Sequence, residues 1–324
     1  MLPRLAKTAI FILALTTSTF AAKAEPYPAQ PVRVIVPFTV GSPVDIAARI
    51  VSRRLQAALG KPFIVENRPG AGTTIGTRDA SRAAPDGYTL LFTGSPLAYY
   101  EVLYPAFHFD PTSDLAPIGT VVAWSHVMVV RQDLPVKTVA ELVDYARRYP
   151  GQLKFGFGLG TPPHILAAAF TKATGADIIL VTYRGGEQAR SDLLGGHIDI
   201  AMAPVANLLA LIRRGDVRAI GYTGTTRAPD LPAVPTMAES GYPHVGFDPD
   251  VWLGLFAPPK TPSNIIAILN SEITAAAKSV EVVEAFGKLG FEPKNLSPSE
   301  FGAFLRDELK KWPPRLLAAG LKRE

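Results

Sequence analysis

The sequence contains no cysteine, few charged residues and no long hydrophobic segment in its main part. Without cysteine, the 324-residue chain can form no disulfide and cannot carry a lipid-modified N-terminal cysteine. Charged residues make up only 19% of it, which argues against long disordered or solvating tails. No stretch beyond the N-terminal segment approaches 18 uninterrupted apolar residues, so we predict no transmembrane helix.

The charge balance argues against two classes of partner. The formal net charge is +5, and three of the cations lie within the first 24 residues, which contain no Asp or Glu. The chain that follows residue 24 therefore carries a formal charge near +2. Because no cluster of Lys and Arg accompanies it, we expect binding neither to nucleic acid nor to an anionic membrane surface.

The first 24 residues are typical of a secretory signal peptide. Arg4 and Lys7 form a basic start, and Ala9–Phe20 is a mostly apolar run of 12 residues, too short to span a bilayer. Ala22-Lys23-Ala24 has the pattern of a cleavage site. We therefore predict export to the periplasm and cleavage after Ala24, with a buried N-terminal helix as the alternative.

Short apolar runs alternate with helical patterns through the rest of the chain, which is 48% apolar and long enough for two packed domains. The runs predicted as strands are Val32–Pro37, Phe63–Glu66, Thr89–Thr93, Met128–Arg131, Lys154–Phe157, Ile178–Tyr183, Ile198–Met202 and Val217–Tyr222. The segments predicted as helices are Val44–Leu59, Val139–Arg148, Ile165–Thr174, Glu187–Leu194 and Asn207–Arg214. This alternation predicts an α/β fold with parallel sheets.

Two extended segments are candidates for crossings between two lobes. Ile118–Arg131 is a mostly apolar run, longer than one buried strand needs. Val251–Ala257 is a second such run, bounded by Asp248-Pro249 and Pro258-Pro259. We expect both segments to pass between lobes, and the alternative is that they are two ordinary sheet strands.

Three predicted strands are followed by the same junction, a hydroxyl residue and then proline. These pairs are Ser42-Pro43, Ser95-Pro96 and Thr161-Pro162, each with glycine close by. Ser or Thr is favoured at a helix N-cap and Pro at the first helical residue, and Asp45 completes a capping-box pattern with Ser42. Since parallel strands end at one edge of a sheet and helix starts bind anions, we predict an anion site there. The alternative is that the three pairs only cap helices.

The same segments resemble the substrate-binding components of tripartite tricarboxylate transporters, also called the Bug family. The resemblance covers essentially the whole chain after residue 24. It is carried by the blocks YPAQPVRVIVPF at 27–38, VENRPGAG at 65–72, APDGYTLL at 84–91, VTYRGG at 181–186, LLGGHID at 193–199, VPTMAESG at 234–241 and WLGLFAP at 252–258. So many blocks in one order are more specific than any single motif.

The resemblance implies a type II periplasmic-binding-protein fold, in which two α/β lobes joined by a hinge close on a ligand cleft. We place the first lobe at 25–125 plus 250–324 and the second lobe at 126–249. Members of the family bind small carboxylates, largely through backbone N–H groups and waters. The corresponding loops of this chain are 38–42 and 158–164.

The resemblance also implies a role in transport, with inner-membrane transporter subunits as partners and a di- or tricarboxylate-like acid as ligand. We expect a monomer with no cofactor, no metal and no enzymatic activity. The alternatives are a sensor input to a two-component histidine kinase and a secreted α/β enzyme. The sequence contains no Gly-x-Ser-x-Gly elbow and no Walker loop, and nothing pairs Glu66 with Asp86 as acid and base.

Most of the predicted ligand contacts lie in the two loops. They are Phe38, Thr39, Val40, Gly41, Ser42, Ser95, Gly158, Leu159, Gly160, Thr161, His164, Tyr183, Arg184 and Ala203. The family's first loop usually reads PFAAGGPTD, so Thr39, Val40 and Ser42 depart from it. Ala203 stands where many relatives carry Asp, and the loss of that carboxylate suits a ligand that is more anionic or carries fewer amines.

Three of these side chains have an alternative role. His164 is predicted to donate to a ligand carboxylate, or else to be a surface or capping histidine. Arg184 is predicted to reach the cleft, or else to form an inter-lobe or surface ion pair. Tyr183 is either a cleft wall or a hydrogen-bond donor. The histidines at 108, 126, 197 and 244 lack metal-site spacing, so we expect them to be structural.

Overall fold

A computed structural model of the chain describes residues 26–158, 161–183, 185–242, 251–318 and 320–321. The predicted signal peptide and its cleavage site therefore lie outside the described residues. Within these ranges, no helix combines the length and the apolar character that a membrane crossing requires.

The first part of the chain alternates strands and helices as the sequence predicts. Its elements are β1 (Val32–Val36), α1 (Pro43–Leu59), β2 (Phe63–Asn67), α2 (Thr74–Ser81), β3 (Thr89–Gly94), α3 (Tyr100–Leu103) and β4 (Ala116–Trp124). Short 3-10 turns, Ala71–Thr73 and Ser95–Tyr99, precede α2 and α3. Helix α1 begins and ends where its caps require. Ser42 accepts the N–H of Asp45, and Gly60 ends the helix at a φ of 73°, a left-handed conformation that glycine adopts without strain.

The middle of the chain repeats the alternation. Its elements are β5 (His126–Arg131), α4 (Val139–Arg148), β6 (Lys154–Gly158), α5 (Pro162–Thr174), β7 (Ile179–Tyr183), α6 (Gly186–Leu194), β8 (Ile200–Pro204), α7 (Val205–Arg214) and β9 (Val217–Tyr222). The last part contains β10 (Val251–Ala257), α8 (Ser263–Ala277), α9 (Val280–Gly287), β11 (Glu292–Pro293) and α10 (Pro298–Ala318).

The strands form two sheets. The first has the order β11-β4-β10-β3-β1-β2 and the second the order β7-β6-β8-β5-β9. We call the first sheet with its helices the first lobe, and the second sheet with α4 to α7 the second lobe. The expectation of wholly parallel sheets is wrong, because β10 pairs antiparallel with β3 and β4, and β5 pairs antiparallel with β8 and β9. Both reversals involve strands at a passage between the sheets.

The first predicted crossing is a nearly continuous strand. β4 ends at Trp124 in the first sheet and β5 begins at His126 in the second, so Ser125 alone separates them. The second segment, Val251–Ala257, pairs only within the first sheet as β10. The chain that leads into it, 243–250, lies outside the described residues.

Each sheet has an apolar core on both faces. Val34 and Ile35, consecutive in β1, belong to cores on opposite faces of the first sheet. Met128 and Val129 do the same in the second sheet. Strands buried on both faces are expected to be continuously apolar, which is why these runs stand out in the sequence.

Candidate functional site

The carboxyl ends of several strands from both lobes lie near one another. β1 and β3 are parallel neighbours in the first sheet, so the loops that follow them share an edge. β6 lies between β7 and β8, parallel to both, in the second sheet. Ile165, in the first turn of α5, belongs to the same buried apolar cluster as Ala98 and Tyr99, which follow β3. The edge after β3 and the edge after β6 therefore meet between the lobes.

The loop after β1 is held by a buried hydrogen-bond network. The carboxylate of Asp45 accepts the N–H of Gly41 (2.9 Å), Nδ2 of Asn67 (2.9 Å) and Nε of Arg49 (3.0 Å). Nδ2 of Asn67 also donates to the carbonyl oxygen of Phe38 (3.1 Å), and Nη2 of Arg49 donates to Oδ1 of Asn67 (3.0 Å). These bonds fix both ends of the loop.

The network determines the charge of Asp45. Burial opposes ionisation of this carboxyl, but the hydrogen bonds from Arg49, Gly41 and Asn67 outweigh burial and lower its pKa. The sequence predicted the contact of Asp45 with Ser42, whose Oγ accepts the N–H of Asp45 (3.2 Å). It did not predict the roles of Asn67 and Arg49, which depend on the pairing of β1 with β2.

The network also decides which amides of this loop remain available. The N–H of Gly41 is taken by Asp45, and the N–H of Ser42 donates to the carbonyl oxygen of Thr39 (3.2 Å). The amides of Thr39, Val40 and Val44 have no acceptor among the described residues. Val40 is 72% exposed, and Thr39 is exposed beside it. The start of α1 therefore offers a ligand three backbone donors.

Ser95 does not cap a helix, so that prediction is wrong. It is fully buried, and its Oγ accepts the backbone N–H of Trp252 (3.0 Å). The N-cap of the 3-10 turn is Gly94, and a Cβ there would overlap the carbonyl oxygen of Trp252. Because β10 lies antiparallel against the end of β3, its backbone takes the hydroxyl that the sequence pattern assigned to a cap.

The start of α5 presents fewer donors than its sequence pattern suggested. Thr161 is the N-cap residue, but its hydroxyl donates to the carbonyl oxygen of Gly158 (2.7 Å) and caps no amide. Pro162 and Pro163 have no N–H, and the amides of His164 and Ile165 both donate to Thr161 (3.0 and 3.4 Å). No amide of the described first turn is available, and Leu159 and Gly160 lie outside the described residues.

His164 is a half-buried, uncharged side chain at this edge. Its ring stacks on Phe157 with centroids 4.7 Å apart and an interplanar angle of 18°. Partial burial lowers the pKa of His164, so the imidazole is neutral near pH 7. It therefore brings no positive charge to this edge.

Tyr183 and Ala203 lie at the ends of β7 and β8. The hydroxyl of Tyr183 donates to Oδ2 of Asp192 (2.7 Å). Burial first, and then this carboxylate, raise the pKa of Tyr183 to about 12. The hydroxyl of Tyr183 is thus already engaged. Ala203 is partly exposed and pairs with Val127 of β5. Arg184 lies outside the described residues.

The start of α6 offers donors that the sequence analysis missed. A Cβ on Gly158 would lie 3.3 Å from the Cα of Gly185, so the loops after β6 and β7 are in contact. In the portion of the chain that is described, the amides of Gly186, Glu187 and Gln188 have no acceptor. The signal was a Gly-Gly pair one residue after a predicted strand, without the hydroxyl residue and proline that marked the other helix starts.

The site contains no arrangement suited to a metal. Among the described side chains, no group of three or more His, Asp or Glu is close enough to hold an ion. His126 lies apart from the ligand loops, buried in β5, where burial lowers its pKa to about 3. Among the described residues, the edge therefore presents backbone donors and a neutral imidazole.

Residues 47–321 match the family described as the tripartite tricarboxylate transporter family receptor. The chain is 38% identical over 321 residues to protein BugT of Bordetella pertussis strain Tohama I, which spans 98% of this chain and 96% of that protein. The periplasmic binding protein BugD superposes with a TM-score of 0.78 and 31% identity, covering 92% of this chain and 100% of BugD. An R. palustris protein solved with adipate has a TM-score of 0.79 and 29% identity, covering 91% and 99% of the two chains.

These matches agree with the architecture described above. Two mixed α/β sheets joined by a strand crossing form a type II periplasmic-binding-protein fold, as the resemblance implied. The matching family consists of transport receptors, and BugD is a binding protein, which supports the expectation that the chain is not an enzyme. The chain belongs to the tripartite tricarboxylate transporter receptor family and is a periplasmic solute-binding protein.

Proposed function

We propose that this protein captures a small dicarboxylate between its lobes and delivers it to inner-membrane subunits of a tripartite transporter. It does so as a monomer, after cleavage behind Ala24, with the first lobe at 25–125 plus 250–324 and the second at 126–249. The observation that carries the proposal is the pair of helix starts, α1 and α6, whose amides have no acceptor among the described residues.

The charge of the edge favours a carboxylate over a sugar or an amine. Helix starts favour anions by about 0.3–1 kcal/mol each when exposed, and by up to about 2 kcal/mol when partly buried. The segments 38–45, 158–164 and 184–188 contain one cation, Arg184, and two acids, Asp45 and Glu187, which are paired with Arg49 and Arg190. Arg49, one turn into α1, is engaged by Asp45 and Asn67. A carboxylate held by N–H groups needs no cationic side chain.

A ligand with a carboxylate at each end suits donors on both lobes. One carboxylate is bound by the amides of Thr39, Val40 and Val44, and the other by those of Gly186, Glu187 and Gln188. The hydroxyl of Thr39, His164 and the predicted contacts at 158–161 and 184 complete the site, while Phe38, Tyr183 and Ala203 form its walls. Adipate, found in the R. palustris relative, is a dicarboxylate of this kind.

The ligand class is tested by thermal shift with dicarboxylates, tricarboxylates, aromatic acids, amino acids and neutral sugars. A ligand at about a thousand times its dissociation constant adds roughly 4 kcal/mol of stability, which raises the melting temperature by several degrees. We expect the largest shift from a dicarboxylate. A shift caused only by a sugar or by an amine would contradict the proposal. Mass spectrometry of ligand released from natively purified protein identifies the acid.

A matched pair of variants tests the donors of α6. Proline is favoured at the first helical residue, and Gly185 before it has the extended φ and ψ (−165° and 165°) that a residue preceding proline prefers. Gly186→Pro therefore removes one N–H and keeps the helix, whereas Gly186→Ala keeps the N–H. We expect Gly186→Pro to weaken the best dicarboxylate about tenfold or more in calorimetry, with little change for Gly186→Ala. Equal affinities of the two variants for the dicarboxylate would show that the N–H of Gly186 does not bind the ligand.

A further inference from the structure

A small apolar cluster joins the two lobes beside the proposed ligand site. It is built from three parts of the chain, the segment after β3, the first turn of α5 and the end of α10. Its buried members are Ala98, Tyr99, Val102, Ile165, Trp312 and Leu316. Ile165, the one member from the second lobe, is only 2% exposed. The first lobe and its C-terminal helix therefore bury a second-lobe side chain directly.

Helix α10 has two halves with different neighbours. In the first half, Phe301 and Leu305 pack into the core of the first lobe. The helix then contains Pro313 and Pro314, neither of which can donate a backbone hydrogen bond, so its continuity is weakened there. Leu316 follows the two prolines and is fully buried in the inter-lobe cluster. The C-terminal half is thus the part of the helix that contacts the second lobe.

A buried carboxylate anchors this half to the first lobe. Oε2 of Glu308 accepts the indole N–H of Trp252 (2.9 Å) and that of Trp312 (2.8 Å), and its other oxygen pairs with Lys311. Trp252 belongs to β10. The ring of Trp312 meets Tyr99 edge to face, with centroids 5.2 Å apart. Glu308 therefore holds the indole of Trp312 in the orientation in which it contacts the cluster.

Ile165 connects the cluster to the first turn of α5, where two of the predicted ligand contacts lie. Ile165 directly follows His164 and donates its amide to Thr161, so it belongs to the same turn as two predicted ligand contacts. We propose that Ile165, Trp312 and Leu316, anchored by Glu308, are positioning residues that hold the first turn of α5 against the first lobe. They stabilise the arrangement in which both lobes reach one ligand. The effect on ligand affinity rests on the proposed function, whereas the effect on lobe position does not.

Leu316→Ala and Ile165→Ala test the cluster, and each has a matched control. Leu317 is 54% exposed, and Leu166 packs in the core of the second lobe alone. Leu305→Ala adds a stability control, because Leu305 is buried in the first lobe away from the cluster. We expect the two cluster variants to weaken the best dicarboxylate about tenfold and to enlarge the radius of the ligand-free protein in small-angle scattering.

The controls separate positioning from general stability. We expect Leu305→Ala and Leu166→Ala to lower the melting temperature and to leave affinity and radius unchanged, and Leu317→Ala to change none of the three. Unchanged or tighter binding in the cluster variants, or an equal loss in Leu305→Ala, would overturn the proposal. If no ligand binds but the cluster variants still expand, the proposed function fails and the positioning role stands.

A milder variant keeps the test valid if the alanine variants do not fold. Trp312→Phe retains a ring against Tyr99 but removes the indole N–H that donates to Glu308. We expect this variant to fold, to weaken the ligand about threefold to tenfold, and to speed hydrogen exchange in the first turn of α5. Exchange and affinity both equal to those of the parent protein would refute the anchoring role of Glu308.

Discussion

The two lobes build their edges of the site in opposite ways. In the first lobe the edge is closely packed, with Asp45 and Asn67 fixing the loop after β1 and Gly94 tight against β10. In the second lobe a Cβ on Gly185 or Gly186 would meet no atom of the described residues within 4 Å. The loop after β1 is therefore held by side chains of its own lobe, whereas the described atoms leave space around the start of α6.

The largest expected effect on the free energy of unfolding comes from adding a methyl group to Gly94, and the same change at Gly186 is its comparison. Gly94→Ala would force a Cβ into the carbonyl oxygen of Trp252, and the strand backbone there cannot yield without disturbing β10. We expect a loss of about 3 kcal/mol or more in the free energy of unfolding, measured by urea denaturation. Gly186→Ala is the matched change at the start of α6. A comparable loss of unfolding free energy in this variant would show that the two lobes are equally closely packed there.

The next effect distinguishes the buried carboxylate of Asp45 from the partly buried carboxylate of Asp192. Asp45→Asn removes the charge that accepts bonds from Arg49, Gly41 and Asn67, and we expect a loss of about 2–3 kcal/mol in the free energy of unfolding. Asp192→Asn loses one bond with Tyr183, and we expect less than about 1 kcal/mol. Equal losses in chemical denaturation would show that the second edge is as strongly organised as the first.

Acid should weaken the first edge through the same carboxylate. The pKa of Asp45 is lowered in the folded protein, so its stabilisation is complete above the unfolded value of about 3.9 and is lost as the pH falls through the lower folded value. The stability difference between the parent protein and Asp45→Asn should therefore be constant from pH 7 to about pH 5 and then shrink. A difference that grows with acid would contradict this assignment.

The smallest effect concerns one exposed hydroxyl. Thr39→Val keeps the shape of the side chain and the backbone N–H, so we expect little change in the free energy of unfolding. Because the hydroxyl is proposed to donate to the ligand, affinity for the best dicarboxylate should fall about fivefold. Thr161→Val is the comparison on the second edge, where the hydroxyl is bound to Gly158. If calorimetry finds the same affinity for Thr39→Val and the parent protein, the hydroxyl of Thr39 does not bind the ligand, and the backbone donors of the first lobe remain.

The elements of the fold were largely predictable because their signals are local. Helix α1 carries its start at Ser42 and its end at Gly60, and β1 is an apolar run interrupted by Arg33. The directions of β5 and β10 were not predictable in the same way, since pairing depends on residues far apart in the chain. The misassigned cap at Ser95 has this cause as well, because its partner, Trp252, lies 157 residues away.

The sequence predicted which segments form the candidate site better than it predicted the hydrogen bonds within them. Ser42 was identified with the role that it has, while Asn67 could be found only once β2 was placed beside β1. The lack of backbone N–H donors at Pro162 and Pro163 could be predicted from the sequence, since proline has no N–H. The start of α6 at Gly185-Gly186 could also have been predicted, but it lacks the hydroxyl residue that marked the other helix starts.

The one-residue passage at Ser125 has a mechanical consequence. On one side Trp124 is paired with Val251, and on the other the N–H and C=O of His126 are both bonded to Thr223. Bending at this passage is therefore concentrated in the two backbone torsions of Ser125. In a chain without cysteine, one spin label introduced on each lobe reports the separation of the lobes as a single distance.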